Sequence, residues 1–307
     1  MEKGVVVKST GSWYIVKKDD NVFVEAKLKG RLRIEGIKST NPVVVGDRVI
    51  LDSGNQGEWS VSDIEPRKNY LIRRATNLSK QSHIIAANVD DAFLVITFRM
   101  PETPMEFIDR FLVSSEAYRI PVCLVFNKID LYSSKELKQI EQIEDIYRKI
   151  GYPTIKTSVT DGTGIDEFSQ MLKGKVSVIS GLSGVGKSSL INKVDPALSL
   201  KIGDISEYHR SGKHTTTFAE MLELKSGGYI IDTPGIRGFG LVHIRKEELY
   251  HFFPEIFKVS SACSFHNCLH VGEPGCAVIH AVDEGEISAS RYNSYVNMME
   301  DPQNKYR

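Results

Sequence analysis

The chain has 307 residues, which is long for one domain and predicts two or three. Its 39 basic residues balance 39 acidic ones, so no overall field attracts a polyanion and a nucleic-acid contact must come from local patches. No apolar run could span a bilayer, and the first residues lack the pattern of a signal peptide, so we expect a cytoplasmic protein with no membrane partner.

Residues 1–67 predict a small β-barrel. Short apolar runs alternate with turn residues, and no helical period is sustained. About five short strands in roughly 65 residues favour an OB-fold, although the same pattern also suits an SH3-like barrel. The predicted strands are residues 13–16, 22–24, 32–34, 43–45 and 49–51.

Residues 68–89 predict a basic linker. With Arg67, this stretch carries six basic or histidine side chains and no acidic residue. Such a run is commonly a solvated connection, but beside an OB barrel it also suits a surface that contacts phosphates.

Residues 90–245 predict an α/β domain. Apolar runs at 92–97, 121–126, 154–157 and 176–179 alternate with helical patterns, including a charged helix at 134–150. This alternation predicts a mostly parallel sheet covered by helices, with active loops at the carboxyl ends of the strands.

Residues 181–188 (GLSGVGKS) match the phosphate-loop pattern Gly-x4-Gly-Lys-Ser in full. Glycines let successive N–H groups point at phosphate oxygens, and the helix that follows adds its N-terminal dipole. We expect Lys187 to reach the β- and γ-phosphates, and Ser188 to ligate Mg²⁺. The predicted nucleotide-binding residues of this segment are Gly181, Leu182, Ser183, Gly184, Val185, Gly186, Lys187, Ser188 and Ser189.

The motif Asn127-Lys128-Ile129-Asp130 indicates recognition of guanine. The Asp130 carboxylate can accept hydrogen bonds from the N1–H and amino groups of guanine, whereas adenine has no such pair of donors and would leave the charge unpaired. At the end of the next predicted strand, Ser158 and Val159 lie where GTPases place a backbone amide for the guanine carbonyl; Val159 replaces the usual Ala.

A second pair of segments indicates a switch that senses the terminal phosphate. In Asp232-Thr233-Pro234-Gly235, we expect Asp232 to hold Mg²⁺ through water and the Gly235 amide to bond to the γ-phosphate. Three consecutive threonines occur earlier, of which Thr216 or Thr217 is expected to complete the Mg²⁺ sphere.

The residue after Gly235 is Ile236, where many GTPases have a water-orienting glutamine nearby. An aliphatic side chain cannot polarise water, so intrinsic hydrolysis is expected to be slow. The attacking water must be oriented by His214, by His209 or by a group from a partner. Our hypothesis is His214, beside the threonines, which makes Lys187, His214 and Gly235 the catalytic candidates.

Residues 246–307 predict a mainly helical domain that binds zinc. Cys263, Cys268, His270 and Cys276 supply three thiolates and one imidazole within fourteen residues, a tetrahedral set suited to one structural Zn²⁺. In a reducing compartment such a cluster favours a metal over disulfides, whereas Cys123, in an apolar strand run, predicts a buried thiol.

The motifs follow one another in circularly permuted order. A conventional GTPase presents its phosphate loop first, then the switch and then Asn-Lys-x-Asp, but here the guanine motif leads. Together with GLSGVGKSS, KHTTT, DTPGIR, the cysteine spacing and the barrel, this order resembles the bacterial ribosome small-subunit-dependent GTPase A family over essentially the whole chain.

The resemblance implies a multi-domain protein, with an OB-fold, a permuted GTPase domain and a zinc-binding helical domain, that acts in late maturation of the 30S ribosomal subunit. It implies GTP hydrolysis stimulated by the subunit, release after hydrolysis, and contacts with the 30S subunit and its rRNA. It also maps residues 127–130 and 181–189 onto the family's GTP site, and the Cys₃His set onto its zinc ligands. The alternative is an RNA-binding checkpoint whose nucleotide state matters more than turnover. We expect a monomer.

Overall fold

The N-terminal part of the chain forms a closed five-stranded barrel. The computed structural model describes residues 2–10, 13–29, 42–54, 57–74, 82–200, 220–232 and 244–300. The barrel strands pair in the order β1-β2-β3-β5-β4, β4 pairs back onto β1, and only the β3–β5 pairing is parallel. These strands are β1 (Glu2–Ser9), β2 (Tyr14–Lys18), β3 (Phe23–Leu28), β4 (Arg48–Ser53) and β5 (Trp59–Ile64).

Alternate side chains fill the barrel, as a two-residue period requires. Tyr14 and Val16 of β2 point inward and are buried together with Leu51 and Val61. The strand order, with β3 parallel to β5 and β4 paired with β1, confirms the predicted OB-like barrel rather than the SH3-like one. The predicted strand at 43–45 is wrong, since only Val45 there forms an isolated bridge, and strands β1 and β5 were not predicted. Residues 32–34 lie outside the described residues.

The segment predicted as a basic linker contains a β-hairpin, β6 (Tyr70–Arg74) and β7 (Ser82–Ala87). Its base lies between the barrel and the next domain, where the Ala87 amide donates to the Val45 carbonyl at 2.9 Å. Gly46 has a φ of +88°, and a Cβ there would lie 2.0 Å from the Ala87 carbonyl oxygen, so only glycine fits this contact. The hairpin base is therefore packed structure that fixes the barrel.

The α/β domain has a six-stranded sheet in the order β10-β9-β8-β11-β13-β12, in which only β12 is antiparallel to its neighbour. Strand β12 also pairs with β1, so the barrel and this sheet are continuous. The strands are β8 (Asp91–Ile96), β9 (Val122–Asn127), β10 (Thr154–Thr157), β11 (Val176–Ser180), β12 (Glu220–Glu223) and β13 (Tyr229–Asp232).

Helices cover both faces of this sheet, because successive residues of a buried strand point to opposite sides. Leu94 of β8 packs on one side with α1 and α2, while Phe93 packs on the other with α3 and α4. Helix α2 has the predicted bounds, set by a capping box between Ser133 and Glu136 and by Gly151 at its end. The helices are α1 (Met105–Ala117), α2 (Ser134–Ile150), α3 (Ile165–Leu172) and α4 (Lys187–Val194).

The C-terminal part is mainly helical, as predicted, and docks on α1. It contains a 3₁₀ helix (Lys246–Phe252), α5 (Pro254–Ser260), α6 (Ala277–Asp283) and α7 (Ala289–Glu300). The buried Arg291 guanidinium of α7 donates to Asp109 of α1 and to Glu255 of α5, both at 2.7 Å. Across the part of the chain that the structure describes, no helix is both long and apolar enough to cross a membrane.

Arg291→Met is expected to lower the free energy of unfolding by about 3–5 kcal/mol, because the buried carboxylate of Asp109 and the partly buried one of Glu255 lose their shared cation. Urea titration followed by circular dichroism measures the loss. The matched control is Arg245→Met, whose exposed side chain pairs with Glu248 and which should cost far less. Equal losses in the two variants would contradict a stabilising role for the buried cluster.

Candidate nucleotide-binding site and metal centre

The loops that carry the predicted nucleotide motifs meet at one edge of the α/β sheet. The register pairs Ile96 of β8 with Phe126 of β9, and Thr157 of β10 with Asn127. The loops after β8, β9, β10 and β11 therefore leave the sheet at the same edge, as the carboxyl ends of parallel strands must. Residues far apart in the chain thus form one cleft.

The phosphate loop connects β11 to α4 and depends on its glycines. Gly181, Gly184 and Gly186 all have positive φ, a conformation that other residues rarely adopt. A Cβ on Gly181 would lie 2.4 Å from the Val95 carbonyl oxygen, and one on Gly186 would lie 2.5 Å from Nδ2 of Asn127. The backbone at both positions is therefore in close contact with the neighbouring loops.

Lys187, the first residue of α4, turns its amine back onto the loop. Only 8% of the residue is exposed, and Nζ donates to the carbonyl oxygens of Gly181 and Leu182, both at 2.8 Å. Burial lowers the pKa of Lys187 to about 8. The amine is therefore held where an anion in the loop would favour its charged form.

Asn127 and Lys128 brace the phosphate loop. Nδ2 of Asn127 donates to the Val185 carbonyl at 2.8 Å, and its Oδ1 accepts from the Thr157 hydroxyl at 2.9 Å. Nζ of Lys128 donates to the carbonyls of Gly184 at 2.6 Å and Met100 at 2.7 Å. The sequence placed both residues at the nucleotide, but it did not reveal Thr157 or Met100 as their partners.

Asp130, the last residue of the guanine motif, is exposed and is held by a hydrogen bond from a neighbour. The Ser158 hydroxyl donates to its Oδ1 at 2.7 Å. Ser158 is itself held, because its amide donates to the Thr163 carbonyl at 2.9 Å. The structure thus brings Ser158 to Asp130, and a carboxylate oriented in this way can accept donors from a ligand.

The predicted switch residues are only partly described. Strand β13 lies beside β11 with Ile231 opposite Val178, so the backbone of Asp232 lies near the edge from which the phosphate loop leaves. The Asp232 side chain is outside the described part, as are all atoms of His214, Thr216, Thr217 and Gly235.

The four predicted metal ligands converge. The ligand atoms of Cys263, Cys268, His270 and Cys276 all lie within 4.8 Å of one another. Nδ1 of His270 is 3.5 Å from the sulfurs of Cys263 and Cys276, which are 3.9 Å apart. Tetrahedral zinc with Zn–S bonds of about 2.3 Å separates its sulfurs by about 3.8 Å, so this donor set fits.

The backbone of the loop that carries His270 is hydrogen-bonded to the carboxylate of Glu273. Glu273 accepts hydrogen bonds from the backbone amides of Leu269, Val271 and Gly272. Burial alone would raise the pKa of Glu273, but these donors hold it at about 2. The Tyr295 hydroxyl also donates to the Leu269 carbonyl at 2.6 Å, so the helical domain fixes the ligand loop.

The chain is similar to known proteins over almost its full length. A family model described as RsgA GTPase matches residues 64–242, and one described as RsgA N-terminal domain matches residues 3–60. "Small ribosomal subunit biogenesis GTPase RsgA 2" of Bacteroides thetaiotaomicron is 56% identical over 306 residues, and RsgA of Bacteroides fragilis is 55% identical, each match covering 99% of both chains.

Two solved structures are also similar. The crystal structure of YjeQ from Thermotoga maritima has a TM-score of 0.79 and 38% identity, covering 98% of each chain. YloQ, described as a circularly permuted GTPase, has a TM-score of 0.76 and 31% identity, covering 99% of this chain and 96% of its own. These matches confirm the permuted GTPase fold predicted from the motif order.

The affinity for GDP is expected to fall as pH rises above about 8. Below that pH, Lys187 is charged with or without nucleotide, whereas above it the free protein loses the proton that the phosphates favour. Affinity then falls by up to about tenfold per pH unit until the pKa of the complex is reached. Titration with a fluorescent GDP analogue from about pH 7 to 10 measures this. The Lys187→Arg variant keeps its charge over this pH range and has every other titratable group of the wild type. If the affinities of the two proteins fell in parallel with pH, the loss would not come from Lys187.

Proposed function

This chain belongs to the RsgA GTPase family, and we propose that its hydrolysis of GTP to GDP and phosphate serves late maturation of the small (30S) ribosomal subunit. The observation that carries the proposal is the phosphate loop braced by the guanine motif, in a chain whose relatives along almost their full length are named small ribosomal subunit biogenesis GTPases. Stimulation by the subunit and release after hydrolysis are parts of the same proposal.

Within the cleft we assign each residue a role from its chemistry. Lys187 would contact the β- and γ-phosphates, and Ser188, Thr216 or Thr217, and Asp232 would hold the Mg²⁺ that neutralises phosphate charge. Asp130 accepts hydrogen bonds from guanine, and the Gly235 amide senses the γ-phosphate. The support lies in the buried amine of Lys187 and in the orientation of Asp130 by Ser158. His214 remains our candidate for orienting water.

The barrel offers a surface suited to the proposed rRNA contact. Trp13 and Phe23 are 43% and 55% exposed, which is unusual for large aromatic side chains. Nζ of Lys27 lies 4.1 Å from the Trp13 ring centre, and Nζ of Lys17 lies 5.6 Å from that of Phe23. We call these four residues the aromatic barrel face. Rings for base stacking beside cations for phosphates match single-stranded RNA, even in a chain with no net charge.

We propose that the Cys₃His cluster holds one structural Zn²⁺ per chain. The fit of the sulfur separation and the absence of any further ligand in the described cluster support zinc in a closed site. Cys268 and Cys276 also belong to the hydrophobic core of the C-terminal domain, so a bound ion would stabilise that core directly.

Purified 30S subunits are expected to accelerate GTP turnover by at least about tenfold, because the aliphatic Ile236 cannot polarise water and hydrolysis by the free protein is expected to be slow. Phosphate release is measured with and without subunits. Lys187→Ala controls for contaminating activity and should abolish the stimulated rate. His214→Ala should lower the stimulated rate at least about tenfold if His214 orients water. Unaccelerated wild-type turnover would instead favour the checkpoint function.

Elemental analysis of the purified protein is expected to find one zinc per chain. Cys276→Ser should reduce this stoichiometry and lower the thermal midpoint, since it removes a ligand from the core of the helical domain. Cys123→Ser is the matched control, because Cys123 is buried in β9 away from the cluster and should leave the metal content unchanged. A folded wild-type protein without metal would refute the assignment.

A further inference from the structure

The hairpin of β12 and β13 lies between the two predicted switch segments along the chain. Residues 215–217 precede its first residue, Glu220, and its last residue, Asp232, is followed directly by Thr233-Pro234-Gly235. Strand β13 also pairs with β11, which leads into the phosphate loop. A displacement of this hairpin is therefore passed by the backbone to both switch segments.

The same hairpin is attached to the barrel by two lysines. Lys8 of β1 pairs with Glu220, with Nζ and Oε2 3.0 Å apart. Lys17 of β2 donates to Oε1 of Glu223 at 2.7 Å and to the Tyr229 hydroxyl at 2.8 Å. These contacts join residues more than 200 positions apart, so the barrel holds the strands that carry the switch segments.

Lys17 belongs both to the aromatic barrel face and to the contact with the β12–β13 hairpin. It lies opposite Phe23 in the β2–β3 ladder, and its Nζ is 5.6 Å from the centre of the Phe23 ring and 5.5 Å from that of Tyr229. Its side chain is 15% exposed, whereas that of Glu223 is 49% exposed. The ammonium lies beside Phe23 of the aromatic barrel face, and its carboxylate partner is well solvated, so the ion pair itself contributes little stability.

We propose that Lys17 couples RNA binding on the aromatic barrel face to the switch segments by exchanging Glu223 for an RNA phosphate. A phosphate beside Phe23 competes with Glu223 for the same ammonium, and the exchange releases Glu223 and Tyr229 of the hairpin from β2. The inference rests on the proposed function, because it uses RNA on the barrel and a guanine-nucleotide cycle. Coupling of this kind is reciprocal, so the nucleotide state must also change the affinity for RNA.

A fluorescent single-stranded oligouridylate tests the coupling in the full-length protein. Its Kd is measured with GDP and with a non-hydrolysable GTP analogue, and the wild-type values are expected to differ by about fivefold or more. Glu223→Gln and Tyr229→Phe leave the aromatic barrel face intact. Each should still bind the probe but bring the two Kd values to within about twofold of each other, with the thermal midpoint confirming that the variant is folded.

Lys18→Met is the matched control. Lys18 is the next residue on β2 and pairs with Glu2 and Asp20 on the surface of the barrel, so its loss removes one charge from the barrel without touching the hairpin. This variant should weaken binding in both nucleotide states and preserve the ratio of the two Kd values.

Three results would overturn the coupling: no binding of the probe, equal wild-type Kd values in the two states, or an unchanged ratio in both hairpin variants. The proposed function is judged separately, by GTP turnover with 30S subunits. A nucleotide-dependent Kd without stimulated turnover would refute subunit-stimulated hydrolysis, in favour of the checkpoint function, and keep the coupling. Stimulated turnover with equal Kd values would do the reverse.

Discussion

The hydrogen bond from the Asn127 amide to the Val185 carbonyl is the contact on which the nucleotide site depends. It joins the guanine motif at the end of β9 to the phosphate loop, 58 positions later in the chain. Gly186 must be glycine because its missing Cβ leaves room for this amide, and Thr157 fixes the amide from the other side. The loops for base and phosphates are therefore one packed unit, so the affinity for either part of a nucleotide depends on the geometry of the other.

This contact also explains why a permuted chain can build the same site. The bond is tertiary, so it requires that the carboxyl ends of β9 and β11 meet at one sheet edge, and the order in which the chain reaches them is immaterial. Permutation changes which segment of the chain follows each strand. Here the β12–β13 hairpin, which lies between the two predicted switch segments, comes late in the α/β domain, and β12 pairs with the barrel strand β1. The hairpin proposed to move is therefore far from the barrel along the chain but adjacent to it in space.

Features with a local cause were predictable from the sequence. Helix α2 is bounded by the Ser133–Glu136 box and Gly151, and the phosphate loop and the Cys₃His cluster have fixed spacings. Features that depend on a distant partner were not. Arg291 has the pattern of a surface residue of α7 until Asp109 and Glu255 are placed beside it. Residues 43–45 are apolar enough for a strand, but only Val45 meets a partner, Ala86, in a hairpin that was itself not predicted.

The barrel and the C-terminal domain are attached to different halves of the nucleotide site. The C-terminal domain binds α1 through Arg291 and Asp109, and α1 follows the loop in which the Met100 carbonyl accepts from Lys128 of the guanine motif. The barrel holds the β12–β13 hairpin through Lys8 and Lys17. In the proposed function, the base-reading half changes little between GTP and GDP, because both carry guanine, whereas the switch half responds to the γ-phosphate. A subunit that holds both domains would thus resist or favour the hairpin's displacement, which links its own conformation to the nucleotide.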